Sequence, residues 1–103
     1  MYASIVNARI QPGRLDAAVA AWHESVRPNV RQLPGCLNSY LLADRAADTI
    51  VIVTLYETEA HALAARQDPG HQDAIAPFMA VVAAPLERGL YDVAGVSGDD
   101  RGA

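Results

Sequence analysis

Hydrophobic and polar residues alternate from Tyr2 to Ile10, with Ser4, Val6, Ala8 and Ile10 on one side and Ala3, Ile5, Asn7 and Arg9 on the other. A period of two predicts a strand. Gln11-Pro12-Gly13-Arg14 then predicts a turn, because proline pre-sets φ and glycine supplies a positive one. From Leu15 to Leu33 the period changes. Leu15, Val19, Trp22, Val26, Val30 and Leu33 recur at steps of three or four and form one stripe of a helix. Pro28 removes a donor and is expected to bend its last turns, and Pro34-Gly35 ends it.

Two further strands follow, Cys36 to Ala43 and Thr49 to Tyr56, joined by the polar run Asp44–Asp48 as a hairpin. The second is β-branched and apolar on both faces, the pattern of a central strand covered on both sides. Thr58 is the expected N-cap of an alanine-rich helix over Ala60–Arg66. Asp68-Pro69-Gly70 breaks it, and Gln72–Ala84 is expected to resume as helix with Pro77 inside. A short strand over Leu90–Val96 completes the pattern, and Ser97–Ala103 is expected to be a flexible tail. The domain thus spans residues 1–96.

The order strand, helix, strand, strand, helix, strand is the split βαβ, ferredoxin-like arrangement of an α+β fold, with helices on one face of an antiparallel sheet. Its other face would carry Ile5, Val51, Val53 and Leu55. A second copy of the same sheet is the economical cover, so the pattern predicts a homodimer packed sheet to sheet.

Composition narrows the function classes. The 103 residues are 51% hydrophobic and carry a net charge of −4, which excludes global disorder and leaves room for one domain. Lysine is absent. The arginines are scattered and outnumbered by acids, so nucleic-acid and anionic-membrane partners are not expected. The lone Cys36 excludes an intrachain disulfide and a cysteine-based metal centre. No apolar run is long enough to span a bilayer and no basic leader opens the chain, so a cytoplasmic location is expected. The histidines His23, His61 and His71 include no pair at the i, i+4 spacing of a helical metal site, and no metal is expected.

Several runs resemble one family. Pro34-Gly35-Cys36-Leu37, the stretch Leu55-Tyr56-Glu57-Thr58-Glu59-Ala60-His61-Ala62-Leu63, and Asp68-Pro69-Gly70-His71 are similar to the antibiotic biosynthesis monooxygenase (ABM) domain. Arg9-Ile10-Gln11-Pro12-Gly13-Arg14 and Trp22 resemble its opening strand, turn and first helix. The resemblance covers residues 2 to about 94. It implies a dimeric α+β barrel with a pocket between helices and sheet. Ser4, Val6 and Ala8 would face that pocket, together with Ile52, Thr54 and Tyr56, while Asn7 would face the dimer seam. Many members are cofactor-free oxygenases of quinols or anthrone-type aromatics. Haem-degrading members carry residues of other types where Val6, Ala65 and Ile75 stand here, which disfavours haem chemistry. Tyr56 replaces the family's usual Trp. Ile52 replaces the Asn of anthrone-oxidising members.

Cofactor-free oxygenation needs an electron-rich substrate that is itself the reductant, an apolar cavity that excludes water, and a group that handles a proton. His71 is the first candidate for proton acceptor, because imidazole titrates near neutrality, with a surface histidine at a helix start as the plainer account. Tyr56 is expected to donate a hydrogen bond to a carbonyl or phenolate, or simply to cap its strand. Trp22, Tyr40, Phe78 and Met79 are candidate walls for a flat aromatic ligand, with core packing as the plainer account. The sequence therefore predicts a cofactor-free monooxygenase of a small planar aromatic. A non-oxidative isomerase or cyclase on the same scaffold and a non-catalytic, stress-associated binding dimer are the alternatives.

Overall fold

A computed structural model describes residues 1–98, so residues 99–103 of the expected tail lie outside the described residues. The chain runs β1 (Tyr2–Arg9), α1 (Leu15–Ala21), a π-helical segment (Trp22–Val26), α2 (Arg27–Val30), β2 (Cys36–Asp44), β3 (Thr49–Tyr56), α3 (Glu59–Gln67), α4 (Pro69–Met79) and β4 (Glu87–Asp92). The strands form one antiparallel sheet in the order β2-β3-β1-β4. This is the α+β, ferredoxin-like architecture that the hydrophobic pattern predicts.

α1, the π segment and α2 run on without a break, since the residues at each junction keep right-handed helical angles. Pro28 explains where the helix changes type. It has no N–H for the carbonyl of Glu24, and its ring crowds that carbonyl, so the preceding turn widens. Arg27 N–H accordingly bonds Trp22 C=O, five residues back. The buried residues Leu15, Ala18, Trp22, Val26 and Val30 still share one face.

The other boundaries move for local reasons. Asp68 has extended angles and its carboxylate accepts the His71 backbone N–H, so it caps α4 and makes Pro69 the first helical residue. The helix therefore begins three residues before the expected Gln72. It ends at Met79 rather than Ala84 because the following segment pairs with the end of β1: Gln11 N–H bonds Val81 C=O at 3.0 Å and Ala83 N–H bonds Arg9 C=O at 2.7 Å. β4 likewise falls on Glu87–Asp92 rather than Leu90–Val96. Its residues have weak strand preference, but β1 offers a full ladder from Tyr2↔Asp92 to Asn7↔Glu87, and pairing prevails over propensity.

All the helices pack on one face of the sheet. Ile10 and Ile50 lie at the bottom of this core with at most 1% of their surface exposed, each contributing roughly 1.5–3 kcal/mol by burial. The opposite face carries Tyr40, Leu42 and Tyr91, exposed by 39%, 51% and 59%.

Candidate functional site

Between the sheet and the helices lies a cavity of about 280 Å³. Strand alternation decides which residues form its floor: Ser4 and Val6 of β1, and Ile52, Thr54 and Tyr56 of β3 point the same way. Thr54 and Ser39 hydroxyls bond each other across β2 and β3 at 2.9 Å, which gives the buried Thr54 side chain a partner. Val26 and Val30 close one side. Ala62, Ala65 and Arg66 of α3 close another. α4 supplies His71, Gln72, Ile75, Phe78 and Met79, and Arg88 of β4 stands at the exposed rim.

His71 is anchored at two points. Its backbone N–H donates to Asp68 Oδ2 at 2.8 Å, and its ring Nδ1 lies 2.9 Å from Asn29 Oδ1 on α2. An amide oxygen only accepts, so Nδ1 carries the proton in this pair. Nε2 is then the basic nitrogen of the ring. Burial pushes the imidazole below its ordinary value of 6.5; the Asp68 carboxylate opposes that shift and Arg88 adds to it. The ring is therefore neutral near pH 7, in the protonation state a general base requires.

Tyr56 ends β3 with 4% of its surface exposed. Burial and the neighbouring Cys36 push its hydroxyl up to about 12, while Arg66 pulls the other way. It therefore keeps its proton near neutral pH. The Cys36 thiol is itself pushed up by burial and is no thiolate nucleophile.

A model of the family described as antibiotic biosynthesis monooxygenase (ABM) matches residues 1–77. The chain belongs to the ABM family. No curated protein sequence matches it significantly. Among solved structures, a candidate antibiotic biosynthesis monooxygenase from Chloroflexus aurantiacus is 30% identical, over 94% of this chain and 96% of that one, with a TM-score of 0.72. A second such candidate, from Bordetella bronchiseptica, is 22% identical over 88% and 94% of the two chains, TM-score 0.79. A variant of SnoaB, a cofactor-independent oxygenase from Streptomyces nogalater, superposes with a TM-score of 0.76 at 17% identity, over 95% and 98% of the chains. The last two likenesses concern the fold alone.

In this ABM chain the cavity brings together Val6, Ile52, Thr54, Tyr56, His71 and Phe78, with Met79 beside them. Two expected wall residues lie elsewhere. Tyr40 is on the opposite face of the sheet, because the β2–β3 register slips between Cys36 and Asn38. Cys36 pairs with Tyr56, and an unbroken alternation would have placed Tyr40 on the same side; the bulge at Leu37 reverses the phase. Trp22 is 6% exposed and belongs to the core, bordering a separate shallow groove with Arg27 and Arg31. Its ring meets His23 edge to face at 5.1 Å, and its indole N–H is buried with no partner among the described residues.

Conversely, Arg66, Gln72 and Arg88 line the cavity and Asn29 holds His71 without having been expected to. Periodicity could have flagged Arg66, one turn beyond the buried Ala62. Among the described residues, no group of three or more His, Cys, Asp and Glu converges on a metal-sized site.

Proposed function

We propose that the chain is a cofactor-independent monooxygenase that oxidises a small planar aromatic, such as a quinol, an anthrone or a related phenol, with O₂. The observation that carries this reading is a neutral, Nδ1-anchored His71 in a mostly apolar cavity that also holds the protonated Tyr56. Family membership and the fold shared with SnoaB support it.

His71 Nε2 takes the acidic proton of the substrate and leaves an electron-rich anion. The Tyr56 hydroxyl donates to the substrate oxygen and stabilises the charge that gathers there. The anion passes one electron to O₂, the radical pair combines at the activated carbon, and a hydroperoxide results. Loss of water then gives the carbonyl. For an anthrone methylene the balance is one O₂ consumed, two C–H hydrogens released in one water, and one oxygen retained on carbon. The apolar walls exclude bulk water, which would otherwise quench the anion.

The working unit we propose is a cytoplasmic homodimer joined through the open sheet faces, whose exposed Tyr40, Leu42 and Tyr91 form an unusual apolar surface for a monomer.

The test is oxygen uptake with a panel of anthrones and quinols in the presence of chelator. We expect stoichiometric uptake with at least one, and a fall in kcat of about 100-fold or more in His71→Gln and in Tyr56→Phe. No uptake with any member overturns the oxygenase reading. Oxygen-independent exchange of a substrate C–H proton, abolished in His71→Gln, would instead identify an isomerase on the same acid–base pair.

A further inference from the structure

The charge inside the cavity is opposite to the charge of the protein. The chain carries twelve acids against eight arginines, yet two of those arginines line the cavity, and no Asp or Glu lines it among the described residues. Arg66 is the more telling of the two. It sits at the last turn of α3, beside the cavity and close enough to Tyr56 to act on its hydroxyl. Its Nη2 is buried and has no hydrogen-bond partner among the described residues. A buried guanidinium nitrogen without a partner is costly, because it has given up water and received nothing in exchange. An anionic group entering the cavity would give this guanidinium the charged partner that no side chain lining the cavity supplies among the described residues.

From this juxtaposition we infer that the substrate is an aromatic carboxylate, whose carboxylate pairs with Arg66 while its ring lies against the apolar walls. The inference rests on the reading of this cavity as the site of an aromatic substrate. A guanidinium presents its N–H groups as a planar fork that matches a carboxylate in plane with an aromatic ring. Arg88 at the rim adds a second positive charge on the way in, so an anion is drawn past it towards Arg66. His71 and Tyr56 remain available to the ring hydroxyl, so the anchoring group and the reacting group are read by different residues. Among the described residues, no anionic side chain in the cavity competes for the guanidinium.

The experiment is calorimetric titration of the full chain with 1-hydroxy-2-naphthoate and with its neutral isostere, 1-hydroxy-2-naphthamide, without oxygen. We expect the carboxylate to bind at least about tenfold more tightly than the amide, as charge-assisted pairing implies. In Arg66→Gln that preference should shrink to about threefold or less while the amide affinity is retained. On the unaltered protein, raising ionic strength from about 0.05 M to about 0.5 M should weaken the carboxylate and leave the amide unchanged, a readout that holds even if the variant fails to fold. Equal binding of acid and amide overturns the inference while leaving an aromatic site intact, and so does a preference that survives in a folded Arg66→Gln. If neither compound binds, this inference and the aromatic reading fall together.

Discussion

His71 is held between groups that act on it in opposite directions. Burial and Arg88 favour the neutral ring, and Asp68 favours the charged one, with the first effect prevailing. Because the ring must be neutral to accept a proton, the acid limb of kcat/KM should lie below pH 6.5. Removing a positive neighbour makes protonation easier, so Arg88→Gln should move that limb upward, as a pH profile of oxygen uptake would show. The same shift bears on stability. The native ring binds fewer protons than the unfolded one between its lowered value and 6.5, so stability rises with pH across that window and is lost on acidification. Tyr56 and His71 were legible in the sequence because each is a recognisable residue type beside a strand end or a helix break. Asn29 was not. Its role depends on a contact 42 residues away in the chain, and nothing local in Arg27-Pro28-Asn29-Val30 marks it. Arg66 marked only the end of its expected helix.

At the level of elements, β3 and the Thr58 cap are where sequence and structure agree most closely: β3 spans the same residues, and Thr58 accepts the His61 backbone N–H at 3.2 Å. Both are encoded locally, by β-branched residues and by a hydroxyl placed before a helix. Tyr40 was misplaced because alternation holds only until a bulge interrupts it. The bulge follows a tight corner at Gly35, whose φ of +73° suits glycine. A side chain there would also run into the His61 ring, which lies across the turn. Gly35→Ala should therefore lower stability by about 1–3 kcal/mol, measured by urea unfolding. The corner also receives the Glu57 backbone N–H on its carbonyl at 2.8 Å, so the substitution strains the end of β3, next to Tyr56.

For the whole molecule, the pattern that predicted a sheet with two apolar faces was correct about the sheet. One face is filled by the helices, and the other keeps Tyr40, Leu42 and Tyr91 exposed. Tyr40 thus has a place on the open face, where it pairs with Val53, rather than in the cavity. Sedimentation at micromolar concentration should give twice the 11.0 kDa of one chain, and Leu42→Glu should shift the protein to monomer. A monomer in the unaltered protein would refute the sheet-to-sheet assembly. Cavity electrostatics was the least legible property at this scale. A net charge of −4 describes the surface as a whole, and it took the folded chain to gather Arg66 and Arg88 around one space without an acid.

The wide turn at Trp22–Val26 has a bearing on how such chains change over time. A π turn holds one residue more than an α turn, so it is the form a helix takes when it absorbs an insertion without unravelling. Tightening it to an ordinary α turn without losing a residue would rotate everything after it by about 100°. Asn29 would turn away from His71 with it. The contact that holds His71 thus depends on the width of this turn as well as on the two side chains that make it. A relative could keep both His71 and Asn29 and still lose their contact through a substitution of Pro28 that lets the turn tighten.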